Sequence, residues 1–138
     1  MPEAPISCVI DTSALVAILA REPEATALIE ALGFYPHRIL PPSCIVELCS
    51  LRSLRVDMPG WLAEFIAEYD VAVLPMDAGI AWLAASAATL YGRGSGHAAK
   101  LNFGDCVSYA FALHLDAPLL FKGADFIHTD VTPAVTLD

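Results

Sequence analysis

The chain has 138 residues, 57% of them hydrophobic and 17% charged, with a formal net charge of −9 at pH 7. That length fits a single domain over residues 1–138, able to bury roughly two-thirds of its unfolded surface without staples. No apolar run reaches the roughly 18 residues of a membrane span. Met1-Pro-Glu opens without the basic region of a signal peptide, so a cytoplasmic protein without membrane contact is expected, and the acidic balance lacks the basic footprint of an ordinary nucleic-acid binder.

In chain order, Ile6 to Ile10 reads as a short β-branched strand. Ser13 to Ala20 reads as a helix capped by Thr12 or Ser13. A second helix starts at Glu22-Pro23 and runs to about Leu32, with proline at a permitted first-turn position. Arg38 to Leu40 is a brief strand closed by Pro41-Pro42, and Ser43 caps a helix to about Leu54. A further helix runs from Pro59 to about Tyr69, followed by a strand from Val71 to Leu74. Asp77 caps an Ala-rich helix to about Tyr91, and Gly92 to Gly96 forms a flexible loop. Asn102 caps a helix to about Leu115, Pro118 to Phe121 is a strand, and the tail holds a turn near Asp125 and a last short strand at Ala134 to Leu137. Short apolar strands alternating with helices give an α/β fold, a sandwich built on a mostly parallel central sheet.

Four cysteines (Cys8, Cys44, Cys49, Cys106) lie in apolar segments without a Cys-x-x-Cys pair and read as buried reduced thiols. The histidines (His37, His97, His114, His128) show no ligand spacing and read as surface or loop residues. Cations are grouped in two places: Arg52 with Arg55 on one helix, and Arg93, His97 and Lys100 around one loop. Trp61, Phe65 and Tyr69 recur every four residues, the mark of a packed helix face.

The chemistry sits in four isolated acids. Asp11 ends the first strand, Glu47 interrupts the apolar run Cys44-Ile-Val-Glu47-Leu48-Cys49, Asp105 opens a helix, and Asp125 follows the strand ending at Phe121. Ligands of open α/β sheets bind beyond the carboxyl ends of the strands, so all four can meet at one sheet edge. Two carboxylates about 4 Å apart repel by roughly 4 kcal/mol at an effective dielectric of 20. A group of four would take up protons or bind cations. Oxygen ligands suit Mg²⁺ or Mn²⁺, which can activate water and stabilise charge on a phosphoryl group, one ion alone or two as a clamp. Thr12 and Ser13 would add supporting hydroxyls. Each acid also has a plain structural reading: Asp11 as a helix cap, Asp105 as the acid of a capping box with Asn102, Asp125 in an Asx turn, and Glu47 in an ordinary salt bridge. Asp77 reads as a cap, Asp116 as a helix-end loop residue and Asp130 as a turn acid or a supporting member of the site. Lys122 would contact phosphate or neutralise Asp125.

At these residues the chain resembles the PIN-domain family and, within it, the VapC-type ribonuclease toxins. Val9-Ile-Asp11-Thr-Ser-Ala-Leu15 looks like the family's first motif, and the helix with Val46-Glu47-Leu48 like its second. Leu101-Asn-Phe-Gly-Asp105-Cys106 is the most specific match, and Leu119-Leu-Phe-Lys-Gly-Ala-Asp125-Phe126 is similar to the last motif. The resemblance runs in order from about Ile6 to Val131 and implies a three-layer α/β/α sandwich that cleaves RNA with Mg²⁺ or Mn²⁺. It further implies a homodimer neutralised by a small VapB-type antitoxin. By the same resemblance Asp11 and Asp105 are the main metal ligands, Glu47 binds directly or through water, and Asp125 completes the set. The family often carries Asp or Asn where Ala124 stands here, so this chain keeps Asp125 in less polar surroundings.

Three function classes follow. The first is a metal-dependent endoribonuclease toxin; the second is a non-catalytic PIN-like binding module that keeps the fold without turnover. The third is a phosphotransfer domain, either a haloacid-dehalogenase-like enzyme, whose second acid is missing from Asp11-Thr-Ser13, or a receiver domain, whose paired early acids are missing. An acidic cleft also invites a basic, partly disordered partner segment whose Arg could pair bidentately with the carboxylates.

Overall fold

The computed structural model describes residues 5–54 and 56–137. Among them are four strands and six helices: β1 (Ser7–Ile10), α1 (Thr12–Leu19), α2 (Ala25–Phe34), β2 (His37–Leu40), α3 (Pro42–Cys49), α4 (Met58–Glu68), β3 (Val71–Val73), α5 (Ala78–Tyr91), α6 (Phe103–His114) and β4 (Leu119–Leu120). The strands form one sheet in the order β3-β2-β1-β4, and every pairing is parallel.

The two-residue alternation of each strand divides the core between the faces. Val9, Ile39 and Leu119 pack with Ile80, Ala84 and Phe111 of α5 and α6. Ile10, Leu40 and Leu120 point the other way, into Leu15 of α1, Leu32 of α2, Leu48 of α3 and Leu62 of α4. The result is the α/β/α sandwich expected. Arg38 ties one layer to the sheet by donating to the carbonyls of Leu32 and Tyr35 at the end of α2 and of Tyr69 at the end of α4. Trp61, Phe65 and Tyr69 stack in sequence along α4, with Phe65 in the core, as a packing face.

Several element ends differ from expectation. The second helix begins at Ala25, not Glu22, because Arg21 takes a left-handed conformation (φ 53°) that breaks the path from α1. The cap of α3 is Pro41, with Pro42 in the first turn, so Ser43 falls inside the helix. That helix stops at Cys49 rather than Leu54: the Ser50 hydroxyl bonds back to the Val46 carbonyl, and the chain leaves helical geometry. Arg52 therefore lies in an irregular segment, while Arg55 lies outside the described residues. No closing strand forms at Ala134 to Leu137. The tail makes one bridge, Leu119 with Pro133, flanked by two backbone hydrogen bonds, and Pro133 has no N–H to extend a ladder. Among the described residues no helix is long and apolar enough to cross a membrane.

Candidate active site

Strand order fixes where a ligand can sit. The chain steps from β1 outward to β2 and β3, then returns to place β4 on the other side of β1. Helices on opposite faces diverge at this reversal and leave a crevice beyond the carboxyl ends of β1 and β4. Asp11 directly follows β1, and the segment Lys122–Asp125 follows β4. Glu47 enters from α3 and Asp105 from the start of α6. All four acids line one cleft of about 400 Å³, together with Thr12 and Ser13.

Asp11 is 3% exposed and accepts three hydrogen bonds. Its Oδ2 accepts from the Ser13 amide (3.0 Å) and hydroxyl (2.6 Å), and its Oδ1 accepts from the Ser108 hydroxyl (2.5 Å). The Ser13 hydroxyl also accepts from the Lys122 amide (3.1 Å), which links the ends of β1 and β4. Asp11 thus caps α1 and walls the cleft at once. Thr12 Oγ1 is buried without a hydrogen-bond partner among the described residues.

Asp105 is 8% exposed and likewise holds both of its readings. It forms a capping box: the Asn102 amide donates to Asp105 Oδ2 (3.0 Å), and the Asp105 amide donates to Asn102 Oδ1 (2.9 Å). Burial pushes its carboxyl up to about 7 against that backbone hydrogen bond, and the charges of Asp11, Asp125 and Glu47 push it further the same way.

Glu47 is half-buried and rests against the first turn of α6. A β-carbon at Gly104 would lie 2.8 Å from its carboxyl carbon, so the bare glycine is what lets the carboxylate approach. The N-terminal end of α6 favours negative charge there. Asp125 is exposed, in the turn after Gly123 (φ +104°), and no Asx-turn bond to its side chain forms among the described residues.

Countercharge is scarce. Lys122 lines the cleft, yet its Nζ pairs with Glu22 (2.8 Å) and Glu24 (3.3 Å) rather than with Asp125. These are the ion pairs found among the described residues, so the four site acids have no basic partner there. A divalent cation fits this donor set: every donor is an oxygen, and the four acids are in no ion pair among the described residues. Among the described residues no three His, Cys, Asp or Glu side chains come together closely enough to hold a metal ion. Mg²⁺ keeps several waters and needs only one or two protein carboxylates.

The remaining expected groups lie elsewhere. The four cysteines are free; Cys8, Cys44 and Cys106 are buried and Cys49 is half-buried. Burial pushes the Cys8 and Cys44 thiols up to about 12, which makes them inert. Asp130 accepts from the Tyr109 hydroxyl (2.6 Å), away from the cleft, and Asp77 caps α5. Ala124 does not line the cleft. Arg93, His97 and Lys100 occupy the loop between α5 and α6, where Gly94 and Gly96 take positive φ.

Three residues were not singled out from the sequence: Ser108, Gly104 and Glu22. Ser108, a lone hydroxyl three residues after Asp105, shares that residue's helix face, a signal that periodicity carries. Gly104, a poor helix former in a first turn, signals a close approach.

The sequence profile of the PIN domain matches residues 8–131. Among curated proteins the chain is 44% identical over 130 residues to ribonuclease VapC42 of Mycobacterium tuberculosis, covering 93% of this chain and 99% of that protein. It is 43% identical over 129 residues to ribonuclease VapC28 of the same species, covering 92% and 97%. To the ribonuclease VapC of Mycolicibacterium smegmatis it is 43% identical over 125 residues, covering 89% and 96%.

Proposed function

We propose that this chain, which belongs to the PIN-domain family, is a metal-dependent endoribonuclease acting as the toxin of a VapBC-type toxin–antitoxin pair. One observation carries the reading: Asp11, Glu47, Asp105 and Asp125 line a single cleft at the sheet's switch point, and none of them is in an ion pair among the described residues. The ribonuclease names of relatives aligned over most of the chain support it.

In this reading Asp11 and Asp105 are the main ligands of Mg²⁺ or Mn²⁺, Glu47 binds directly or through water, and Asp125 completes the set. When bound, such an ion supplies Lewis acidity toward a phosphoryl oxygen and lowers the pKa of the attacking water. The chain's own residues supply placement. Ser13 and Ser108 hold both oxygens of Asp11, so its carboxylate cannot rotate. Asn102 holds Asp105 Oδ2. Glu47, seated over Gly104, is poised to orient the attacking water. The chain acts as one catalytic domain, assembles as a homodimer in the cytoplasm, and is neutralised by a VapB-type antitoxin whose basic segment offers Arg to the carboxylates.

The test incubates purified protein with structured bacterial RNA, with Mn²⁺ or with chelator, beside the Asp105→Asn variant. Cleavage that requires both the metal and Asp105 is expected. Metal binding without cleavage of any RNA would replace this reading with the non-catalytic binding module.

A further inference from the structure

Phe103 is the first residue of α6 and is 80% exposed; Val46 on α3 is 67% exposed. Large apolar side chains left in water beside a charged cleft need an explanation that packing does not give. The two line one hollow of about 400 Å³ with Ser43, Glu47, Asn102 and Gly104. Glu47 and Asn102 also line the acid cleft, so the two cavities share a wall.

We propose that Phe103 and Val46 form a nucleobase subsite, taking an unpaired base of the RNA next to the phosphate held in the acid cleft. The proposal rests on the nuclease reading above. Charge favours this occupant. A protein of net charge −9, with Lys122 committed to Glu22 and Glu24, has little phosphate attraction with which to hold RNA. Stacking on an aromatic face needs no countercharge and accepts any base.

The platform is rigid before RNA arrives. Phe103 lies between Asn102 and Asp105, whose reciprocal capping bonds fix its backbone, so little ordering is left to do on binding. Polar groups are also in place. Asn102 Oδ1 is used by the cap, so its Nδ2 donors are not spent on that bond. Ser43 lines the same hollow, with its Oγ buried behind the surface.

The test measures anisotropy of a 5′-fluorescein-labelled, mixed-sequence RNA hexamer in chelator at low salt, with wild-type protein and Phe103→Ala, Phe103→Leu and Phe103→Trp. Initial rates of bacterial-RNA cleavage in Mn²⁺ and melting temperatures are read on the same four proteins. Phe103→Ala and Phe103→Leu are expected to weaken hexamer binding about 5- to 150-fold with unchanged melting, and Phe103→Trp to restore it. Hexamer binding absent from the wild type, unaltered in Phe103→Ala, or restored by Phe103→Leu would overturn the subsite. Wild-type protein that cleaves no RNA would instead remove the nuclease reading beneath it. Unchanged RNA binding and cleavage in Phe103→Ala, together with loss of self-association or of a co-expressed antitoxin, would reassign this face to a protein interface.

Discussion

Asp105 shows how one carboxylate can serve the fold and strain against it. Its carboxyl sits at about 7 in the folded chain against an ordinary 3.8, because burial and then three neighbouring acids disfavour its charge. The stabilising contribution of such a raised group is complete below the unfolded value. It is lost as pH rises through the folded one. Metal-free protein is therefore expected to lose on the order of a few kcal/mol between about pH 4 and pH 7, with little further change above. Melting curves across that range check it. The Asp105→Asn variant should flatten the profile and melt higher than wild type at pH 8, while losing cleavage, since without a cation burial and the neighbouring acids outweigh what the capping bond gives the charge.

Gly104 separates fold from function in the opposite way. The nearest atoms a methyl group there would meet are those of the Glu47 carboxylate, the far end of a flexible side chain that can swing aside. Gly104→Ala should keep or slightly raise the melting temperature, since alanine gains up to about 1 kcal/mol over glycine in a helix. Its cleavage rate should fall at least tenfold. In a Glu47→Ala background the same change should cost nothing further in Mn²⁺ affinity, a double-mutant cycle that would fail to close if Gly104 acted independently of Glu47.

At the scale of elements, local chemistry in the sequence determined most of what formed. Asp77 and Asn102 cap α5 and α6 as their spacing predicts, and the four sheet strands appear where expected, but not the one expected at Ala134 to Leu137. Misjudged ends trace to contacts beyond the local window: the Arg21 turn before α2, the early end of α3 at Ser50, and Pro133 in the tail. The four acids were legible from their places: Asp11 at the end of a strand, Glu47 inside an apolar run, Asp105 at a helix start and Asp125 after a strand. Their supports were not, because Ser108 reaches Asp11 across 97 residues of sequence and Lys122 reaches Glu22 across 100. Arg38 was equally unreadable: it sits in a strand and satisfies the ends of α2 and α4. Arg38→Met leaves those carbonyls without their cation and should cost about 2–4 kcal/mol by chemical denaturation. A change under 0.5 kcal/mol would mean that water replaces the guanidinium at little cost.

Across the whole molecule, parallel strand order concentrates charge at one edge. Every strand presents its carboxyl end to the same side, and the reversal at β1 opens the crevice there. Placing Asp11 after β1 and Asp125 after β4 then brings together acids from opposite ends of the chain. Glu47 and Asp105 arrive on helices that pack on opposite faces of the sheet, α3 and α6. The site is thus a product of topology, and the aligned relatives cover the same span.

The claim that this convergence is a seat for a divalent ion is tested most directly by calorimetric titration of Mn²⁺ into wild-type protein and Asp105→Asn at pH 7.5. Saturable binding to the wild type is predicted, with only a fractional proton release at this pH, because a carboxyl at about 7 is already mostly ionised, and with binding lost or weakened at least tenfold in the variant. Absent binding in the wild type, or equal binding by both proteins, would contradict it.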